Sequence, residues 1–190
     1  MDRVLLQRIC LNLLLEQFQK NLKNYMKMEI RLAKKSDLEE INKLYNYYIT
    51  HTAFTFDTKK KTLSEITSWY DKFGETKNSI CLVAYVNNKL IGFACSTSFR
   101  KKEAYKRSVE TSVYINVKNR GKGFGKKLMT ELIKKLQLTE TKSLYALITY
   151  PNQTSINLHK SLNYKKVGQL NDVGFKFNKY WSVYIYELKL

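Results

Sequence analysis

The sequence is poor in residues that bend or cross-link a chain. Among its 190 residues it has one proline, seven glycines, two histidines and three cysteines. Cys10, Cys81 and Cys95 form no close pair and no metal-ligand spacing, so they suggest neither a disulfide framework nor a metal site. No apolar run approaches the roughly 20 residues that cross a bilayer. We therefore expect a cytoplasmic protein with no membrane segment and no signal peptide.

Acidic residues are also scarce. Thirty-four lysines and arginines stand against 16 acidic residues, which gives a formal charge of +18. Such a surface attracts anions, whether nucleic acid, a phosphate-bearing cofactor or acidic lipid headgroups, and charge alone does not choose among them. The hydrophobic content of 44% suffices for a core, so disorder of the whole chain is excluded.

The chain divides near Met28. Apolar residues recur at three- and four-residue intervals between Leu6 and Tyr25, a pattern that predicts one amphipathic helix. Met26 and Met28 then precede a fresh start at Glu29. We expect residues 1–28 to form a helical extension, either a docking helix or an upstream extension of the reading frame, and residues 29–190 to form one domain.

The domain alternates strand and helix patterns. We predict strands at 30–33, 80–86, 89–98, 108–117, 144–149, 164–169 and 181–190, with the second and third joined by a hairpin at Asn87 and Asn88. Capping boxes at Ser36 with Glu39 and at 62–65 predict two helices, the second reaching residue 73. Two more helices follow the glycine turn at 121–125 and Asn152. The prediction is a mixed α/β sheet of six or seven strands with helices on its faces.

The glycine turn carries the clearest chemical signal. Gly121, Gly123 and Gly125 lie between a strand and a helix, where free backbone N–H groups and the helix dipole bind a phosphate or pyrophosphate. The alternative is a simple tight turn. The spacing fits neither a Walker loop, because the glycines lie too close together, nor a dinucleotide-binding fingerprint, which belongs in the first strand-helix unit.

The spacing Arg120-x-x-Gly123-x-Gly125 after a strand resembles the acetyl-CoA pyrophosphate loop of the GNAT family of N-acetyltransferases. A second resemblance lies further on, where Asn152, Ser155 and His159 match that family's next motif in order and spacing. Asn163 replaces the glycine usual in this motif, a mild change because asparagine also adopts the left-handed conformation.

Within the family, the chain is most similar to the phosphinothricin and methionine sulfoximine acetyltransferases, from about residue 29 to 190. The similar stretches are Arg31-x-Ala33 with Asp37, Tyr45-Asn46, Thr55-Phe56-Asp57, Phe99-Arg100, Ala104-Tyr105, the run from Ser108 to Ile115, and Leu158-His159. Ser182 departs from the usual aspartate and leaves the C-terminal wall of the substrate pocket open to question. The resemblance implies a mostly antiparallel central sheet, flanked by helices on both faces, and a homodimer.

The resemblance further implies acetyl-CoA as the acetyl donor, with no metal. The coenzyme-binding residues that it implies are Val113, Tyr114, Ile115, Lys118, Asn119, Arg120, Gly121, Lys122, Gly123, Phe124, Gly125, Lys126, Asn152 and Ser161. The main chain of 113–115 is expected to pair with the pantetheine arm, and an N–H there to polarise the thioester carbonyl.

For the acceptor, the resemblance implies a small amino-acid-like molecule, such as phosphinothricin, methionine sulfoximine or methionine sulfone, acetylated on its α-amino group by direct attack. The implied substrate-binding residues are Phe56, Arg100, Lys102, Tyr105, Glu110, Thr111 and Ser112. Cations with a tyrosine suit a carboxylate or a phosphinate. Because residues 100–107 hold five cations, a solvated basic loop is the alternative, and Phe56 is otherwise a core residue.

Two side chains are candidates for catalysis. Strand alternation sets Glu110, with Ser112 and Tyr114, on the opposite face from Val109 and Thr111. The resemblance implies that Glu110 is the general base, acting directly or through water, and partial burial would raise its pKa. A cross-strand ion pair with a lysine is the alternative for this carboxylate.

The other candidate is His159, which occupies the place where many relatives have a tyrosine that protonates the departing thiolate. The alternative is a histidine in the core. Two other functions stay open: a GNAT enzyme acting on a protein N-terminus or a polyamine, and a basic nucleic-acid-binding module. Cations at Arg100, Lys101 and Lys102 would repel a polyamine. Lysines scattered along the whole chain weaken the nucleic-acid function.

Overall fold

The computed structural model describes residues 28–190, so the predicted helix within the first 27 residues lies outside the described part. Seven strands form one sheet. They are β1 (Met28–Leu32), β2 (Ile80–Val86), β3 (Lys89–Ser98), β4 (Ser108–Ile115), β5 (Ser143–Tyr150), β6 (Lys165–Lys176) and β7 (Lys179–Lys189). Their order is β1-β2-β3-β4-β5-β7-β6, and only the β4–β5 pair is parallel. The predicted mixed, mostly antiparallel sheet is confirmed.

Within residues 28–190, four α-helices cover the two faces of the sheet. They are α1 (Leu38–His51), α2 (Leu63–Tyr70), α3 (Phe124–Gln137) and α4 (Gln153–Lys160). α1 and α2 pack through Ile41 and Ile66 against a cluster that contains Phe93. α3 and α4 pack on the opposite face, through Leu128 and other apolar residues. No helix in the described residues 28–190 is long and apolar enough to span a membrane.

The start of α1 differs from the prediction. Ser36 and Glu39 do not form a capping box there, because Glu39 pairs with Lys43 at 2.7 Å along the helix. The carboxylate that stabilises the chain just before α1 is Asp37. It accepts hydrogen bonds from the Lys34 backbone N–H at 2.7 Å and from the Arg31 guanidinium at 2.7 and 2.8 Å. The second predicted capping box, between Thr62 and Glu65, is confirmed at α2.

Two other boundaries also differ. β6 continues well past the predicted end at residue 169 and turns into β7 through Phe177 and Asn178, whose φ angles are 54° and 56°. The turn lacks glycine and proline, so the sequence pattern gave no sign of it. α2 ends at Tyr70, not at residue 73. The hairpin at Asn87 and Asn88 is confirmed, with φ angles of 49° and 59°.

One feature of the sheet positions the site. β4 and β5 pair only from Ser108 opposite Ser143 to Glu110 opposite Tyr145. Beyond that point the strands diverge, while β4 remains paired with β3 as far as Ile115. On the side of β5, the backbone of the second half of β4 therefore faces a gap in the sheet, while its other side stays paired with β3.

Candidate active site

A cleft of about 470 Å³ opens where β4 and β5 diverge. Its walls come from the second half of β4, the glycine turn, β5 and α4. Twelve of the predicted coenzyme residues line it: Val113, Tyr114, Ile115, Asn119, Arg120, Gly121, Gly123, Phe124, Gly125, Lys126, Asn152 and Ser161. Lys118 and Lys122 are exposed and lie outside the lining. The structure thus brings two distant sequence motifs to one cavity.

The glycine turn has the backbone geometry that its sequence predicts. Gly121 and Gly123 have φ angles of +74° and +78°, in the left-handed region that favours glycine. Gly123 is the N-cap residue of α3, so the first N–H groups of that helix face the cleft without intrahelical partners. This arrangement suits a diphosphate.

Arg120 adds a cation to the same turn. Its guanidinium lies over the ring of Tyr48, 4.9 Å from the ring centroid. Nη2 of Arg120 is buried and has no hydrogen-bond partner within residues 28–190. A buried donor without a partner is costly, and a bound anion would satisfy it. The fit of the cleft to a phosphate-bearing coenzyme therefore rests on both backbone and side-chain donors.

Tyr48 also reaches the end of β4. Its hydroxyl accepts a hydrogen bond from the Ile115 N–H at 3.0 Å and donates one to the Ile115 carbonyl at 2.7 Å. Both backbone groups of Ile115 are therefore already partnered by this side chain. A pantetheine arm that pairs with the main chain of 113–115 would therefore have to share the N–H and carbonyl of Ile115 with Tyr48.

His159 lines the cleft from α4 and is buried. Its Nδ1 lies 2.8 Å from the Ser155 carbonyl oxygen, which can only accept, so Nδ1 carries the proton. Nε2 is buried with no partner in the described part of the chain. Burial lowers the pKa of His159 below its ordinary value, which the hydrogen bond to Ser155 offsets in part. The neutral ring therefore presents Nε2 as an acceptor, whereas the predicted donation to a thiolate needs a proton there.

A second cavity of about 490 Å³ lies beneath α1 and α2. Its floor is made by side chains of β3 and β4, among them Phe93, Cys95, Thr97, Ser112 and Tyr114. Ser112 and Tyr114 also line the first cleft. The two cavities therefore adjoin at this part of β4.

Glu110 lies on the face of β4 that carries the second cavity, directly opposite Thr97 of β3. Burial raises the pKa of Glu110 above its ordinary value, and the positive charge of Arg100 opposes that rise. Glu110 has no ion pair or side-chain hydrogen bond in the described residues, so the expected alternative of a lysine partner is not observed. It is a desolvated carboxylate, which is a stronger base than an exposed one.

The other predicted acceptor residues are spread out. Arg100, Lys102 and Tyr105 lie on the exposed connection between β3 and β4, where the Arg100 guanidinium stacks on Phe99 at 4.3 Å. Phe56 is half exposed and its ring packs against Gly174 of β6. Of these four, Arg100 is the one whose charge acts on Glu110.

Thr111 and Ser112 lie on opposite faces of β4. The Thr111 hydroxyl is 3.1 Å from the Tyr164 hydroxyl and donates to the Tyr145 carbonyl at 3.2 Å, on the face that carries the coenzyme cleft. Ser112 shares the face of Glu110. Thr111 is therefore turned away from Glu110, while Ser112 lies beside it.

The sequence analysis assigned no role to several residues that shape the second cavity. The Tyr45 hydroxyl donates to Asp57 at 2.8 Å and lies 3.0 Å from the Thr55 hydroxyl, which ties α1 to the connection before α2. Asp57 in turn pairs with Lys61 at 3.2 Å. Strand alternation along β3 could have indicated Thr97, because it predicts that Phe93, Cys95 and Thr97 share one face.

A seven-stranded sheet that splits between parallel strands, with a glycine turn at the split and a partly buried carboxylate on β4, is typical of the class of acetyl-CoA-dependent N-acetyltransferases. The chain belongs to the GNAT family: residues 30–184 match the family model described as an acetyltransferase (GNAT) domain. The protein is an enzyme, and acetyl-CoA is its acetyl donor. The described residues contain no group of three or more His, Cys, Asp or Glu side chains that could hold a metal.

Known relatives agree with this assignment. A phosphinothricin N-acetyltransferase of Streptomyces coelicolor is 34% identical over 86% of this chain and 96% of its own length. An L-methionine sulfoximine/L-methionine sulfone acetyltransferase of Salmonella typhimurium is 30% identical over 86% and 95%. The crystal structure of a Sinorhizobium meliloti phosphinothricin acetyltransferase in complex with acetyl-CoA superimposes with a TM-score of 0.83 at 26% identity, over 87% and 89% of the two chains.

Proposed function

We propose that the enzyme transfers the acetyl group of acetyl-CoA to the α-amino group of a small amino-acid-like acceptor, of the phosphinothricin, methionine sulfoximine or methionine sulfone type. The observation that carries this proposal is the meeting of two cavities at Ser112 and Tyr114. A donor held in the first cleft and an acceptor held in the second would both lie against these two residues.

Glu110 supplies the base. An amino acid enters as an ammonium ion, which must lose a proton before its nitrogen attacks the thioester. A carboxylate whose pKa is raised by burial takes that proton more readily than an exposed one, directly or through one water. The attack forms the amide bond and breaks the carbon–sulfur bond, so that CoA leaves as its thiolate and no acyl-enzyme forms.

The coenzyme is held by the residues that line the first cleft. The N-terminal N–H groups of α3 and the Arg120 guanidinium face its diphosphate, and the backbone of Val113 faces the gap where the pantetheine arm would lie. His159 Nε2 accepts a hydrogen bond from the coenzyme, which would relieve its buried, unpartnered state. Acetyl-CoA supplies the activated acetyl group.

The carboxylate of the acceptor pairs with Arg100. The Arg100 side chain is exposed, and its positive charge opposes the rise in the pKa of Glu110. Its charge therefore lies within reach of a group bound beside Glu110. An α-carbon that presents its amine to Glu110 and its carboxylate to Arg100 would be fixed at two points. An arginine can bind such a carboxylate through two parallel hydrogen bonds.

We further propose a cytoplasmic homodimer. Cys81 and Cys95 face each other on β2 and β3, and both are free and buried, as expected in a reducing compartment. The β6–β7 hairpin exposes Val173, Phe175 and Tyr180, each more than half accessible. Apolar side chains grouped on one hairpin are typical of a surface that a second copy covers.

A thiol-release assay tests the proposal. With acetyl-CoA, we expect CoA release to depend on phosphinothricin, methionine sulfoximine or methionine sulfone, and not on a polyamine or a peptide with a free N-terminus. Glu110→Gln keeps the shape and should lower kcat/KM about 100-fold or more at neutral pH. Glu103→Gln, on the exposed connection nearby, is the matched control. Normal turnover by Glu110→Gln, or preference for the polyamine or peptide, would contradict the proposal.

A further inference from the structure

One edge of the sheet carries an apolar strip, which we call the edge strip. It consists of Met28, Ile30 and Leu32 of β1 with Val86 of β2. Ile30 pairs with Ala84 and Leu32 with Leu82, and both of these β2 residues belong to the buried cluster that α3 covers. Because side chains alternate along a strand, the edge strip lies on the α3 face of the sheet.

The edge strip is only partly covered within residues 28–190. Leu32 is 55% exposed, and the other three side chains are partly exposed although Met28, Ile30 and Val86 all pack against the core cluster. α3 packs over β2, β3 and β4, so β1 lies at the margin of its cover. Single apolar residues on a surface are ordinary, but these four adjoin one another and the core. They offer a face on which a further apolar element can pack.

The chain reaches this face from residues 1–27. The apolar face of the amphipathic helix predicted there holds Leu6, Ile9, Cys10, Leu13 and Leu14. A helix from Leu6 to Tyr25 would be about 30 Å long, whereas a strand as short as β1 spans about 17 Å. Two residues would then link the helix to Met28, and elements joined by a short connection usually pack against each other. The upstream segment is therefore long enough, and close enough in the chain, to cover the edge strip.

The direction of the chain agrees with this placement. Met28 lies at the same end of the sheet as Ile115, because β1, β2, β3 and β4 pair in antiparallel order. α3 starts just beyond that end and runs back across the sheet. A helix that turns back before Met28 would lie antiparallel to α3, on the same face and next to it. Helices packed side by side in this way share an apolar seam.

We propose that residues 1–27 form an amphipathic helix that packs onto the edge strip beside α3, through the face that holds Ile9, Cys10 and Leu13. The segment precedes the residues 30–184 that match the family model, and the inference makes no use of the acceptor. It therefore goes beyond the proposed function. The edge strip, which is part of the described sheet, becomes the binding surface for the segment that leads into it.

Cys10 is a native probe of this packing. In the full chain, Cys81 and Cys95 are free and buried, so peptide mass spectrometry after maleimide treatment can follow Cys10 against two protected thiols. We expect Cys10 to react at least about tenfold more slowly in the native chain than in the chain unfolded in denaturant. Leu32→Glu places a charge in the edge strip and should raise the native rate about tenfold. Leu63→Glu, at a leucine of α2 that is 49% exposed, is the matched control and should leave the rate unchanged.

A second pair of variants changes the segment itself. Leu13→Glu should release Cys10 as Leu32→Glu does, whereas Arg8→Glu, on the opposite side of the predicted helix, should not. Acetyl-CoA affinity, measured by calorimetry, shows whether each variant is folded, and Leu13→Glu decides if Leu32→Glu is not. A native rate equal to that of the unfolded chain, or protection that neither Leu32→Glu nor Leu13→Glu removes, would overturn the proposal. Protection that disappears on dilution would show that a second copy covers Cys10, and would overturn it too.

Discussion

The Tyr48 hydroxyl bridges the backbone N–H and carbonyl of Ile115, at 3.0 and 2.7 Å, where β4 has lost its neighbour β5. One side chain of α1 thus replaces a missing strand partner. Tyr48→Phe keeps the ring under Arg120 but leaves both buried groups unsatisfied. We expect it to lower the free energy of unfolding by about 1–3 kcal/mol in urea denaturation.

The neighbouring Tyr47→Phe is the control for that measurement. Tyr47 is exposed, and its hydroxyl makes no hydrogen bond within residues 28–190, so its loss should change stability by less than about 0.5 kcal/mol. Equal effects of the two substitutions would show that the bridge to Ile115 does not stabilise the fold.

Gly123→Ala should weaken coenzyme binding through the backbone. A Cβ at this position would have no heavy atom within 4 Å, so the cost comes from the φ angle of +78° alone. The left-handed conformation costs a non-glycine residue about 1–2 kcal/mol. The start of α3 would relax, and the Kd for CoA measured by calorimetry should rise about tenfold. Gly168→Ala, on β6 with ordinary φ, should leave that Kd unchanged; similar Kd values for both variants would contradict the assigned role of the turn.

Lys176 fastens the β6–β7 hairpin to the connection that shapes the second cavity. Its buried Nζ donates to the Thr55 carbonyl at 2.7 Å, and burial lowers the pKa of Lys176. We expect Lys176→Met to raise KM for the amino-acid acceptor more than KM for acetyl-CoA, because Thr55 also contacts Tyr45. Steady-state kinetics measure both constants. Lys179→Met, exposed on the same hairpin, should change neither, and a rise confined to acetyl-CoA would exclude this role.

Arg100 and Glu110 predict the direction of a pH shift. The Arg100 cation opposes the burial that raises the pKa of Glu110, so Arg100→Gln should raise that pKa further. The base must be deprotonated to act, hence the acidic limb of the profile of kcat/KM against pH should move to higher pH. High salt should bring the two enzymes closer, because Arg100 is exposed and its field is screened. A limb that moves to lower pH would refute the coupling.

His159 predicts how stability depends on pH. Burial lowers its pKa below 6.5, so the unfolded chain binds this proton more readily than the native one, and stability should fall as pH drops below about 6.5. Glu110 acts in the opposite direction because its native pKa is raised, so the comparison is made in Glu110→Gln. Adding His159→Phe to that background should flatten the fall between pH 7 and pH 5 in denaturant titrations. An unchanged slope would mean that His159 binds its proton equally well in the native and the unfolded state.

The sequence predicted most of the sheet because local rules decide its elements. Alternation along β4 separated Glu110 and Ser112 from Thr111, and the structure has them on opposite faces. Gly121 and Gly123 have the positive φ angles that their spacing suggests. The predictions that failed, at Ser36 with Glu39 and at the end of β6, involve choices between competing local hydrogen bonds or a turn without glycine.

By itself, then, the sequence determined the strand and helix pattern, the glycine turn before α3 and the position of an acidic residue inside an apolar strand, because these depend on residues close together in the chain. Only the tertiary structure decided that β4 and β5 diverge, that the Tyr48 hydroxyl hydrogen-bonds both backbone groups of Ile115, and that a second cavity meets the first at Ser112 and Tyr114. Those features depend on contacts between segments tens of residues apart, and burial, which sets the pKa of Glu110 and His159, exists only once the segments have packed together.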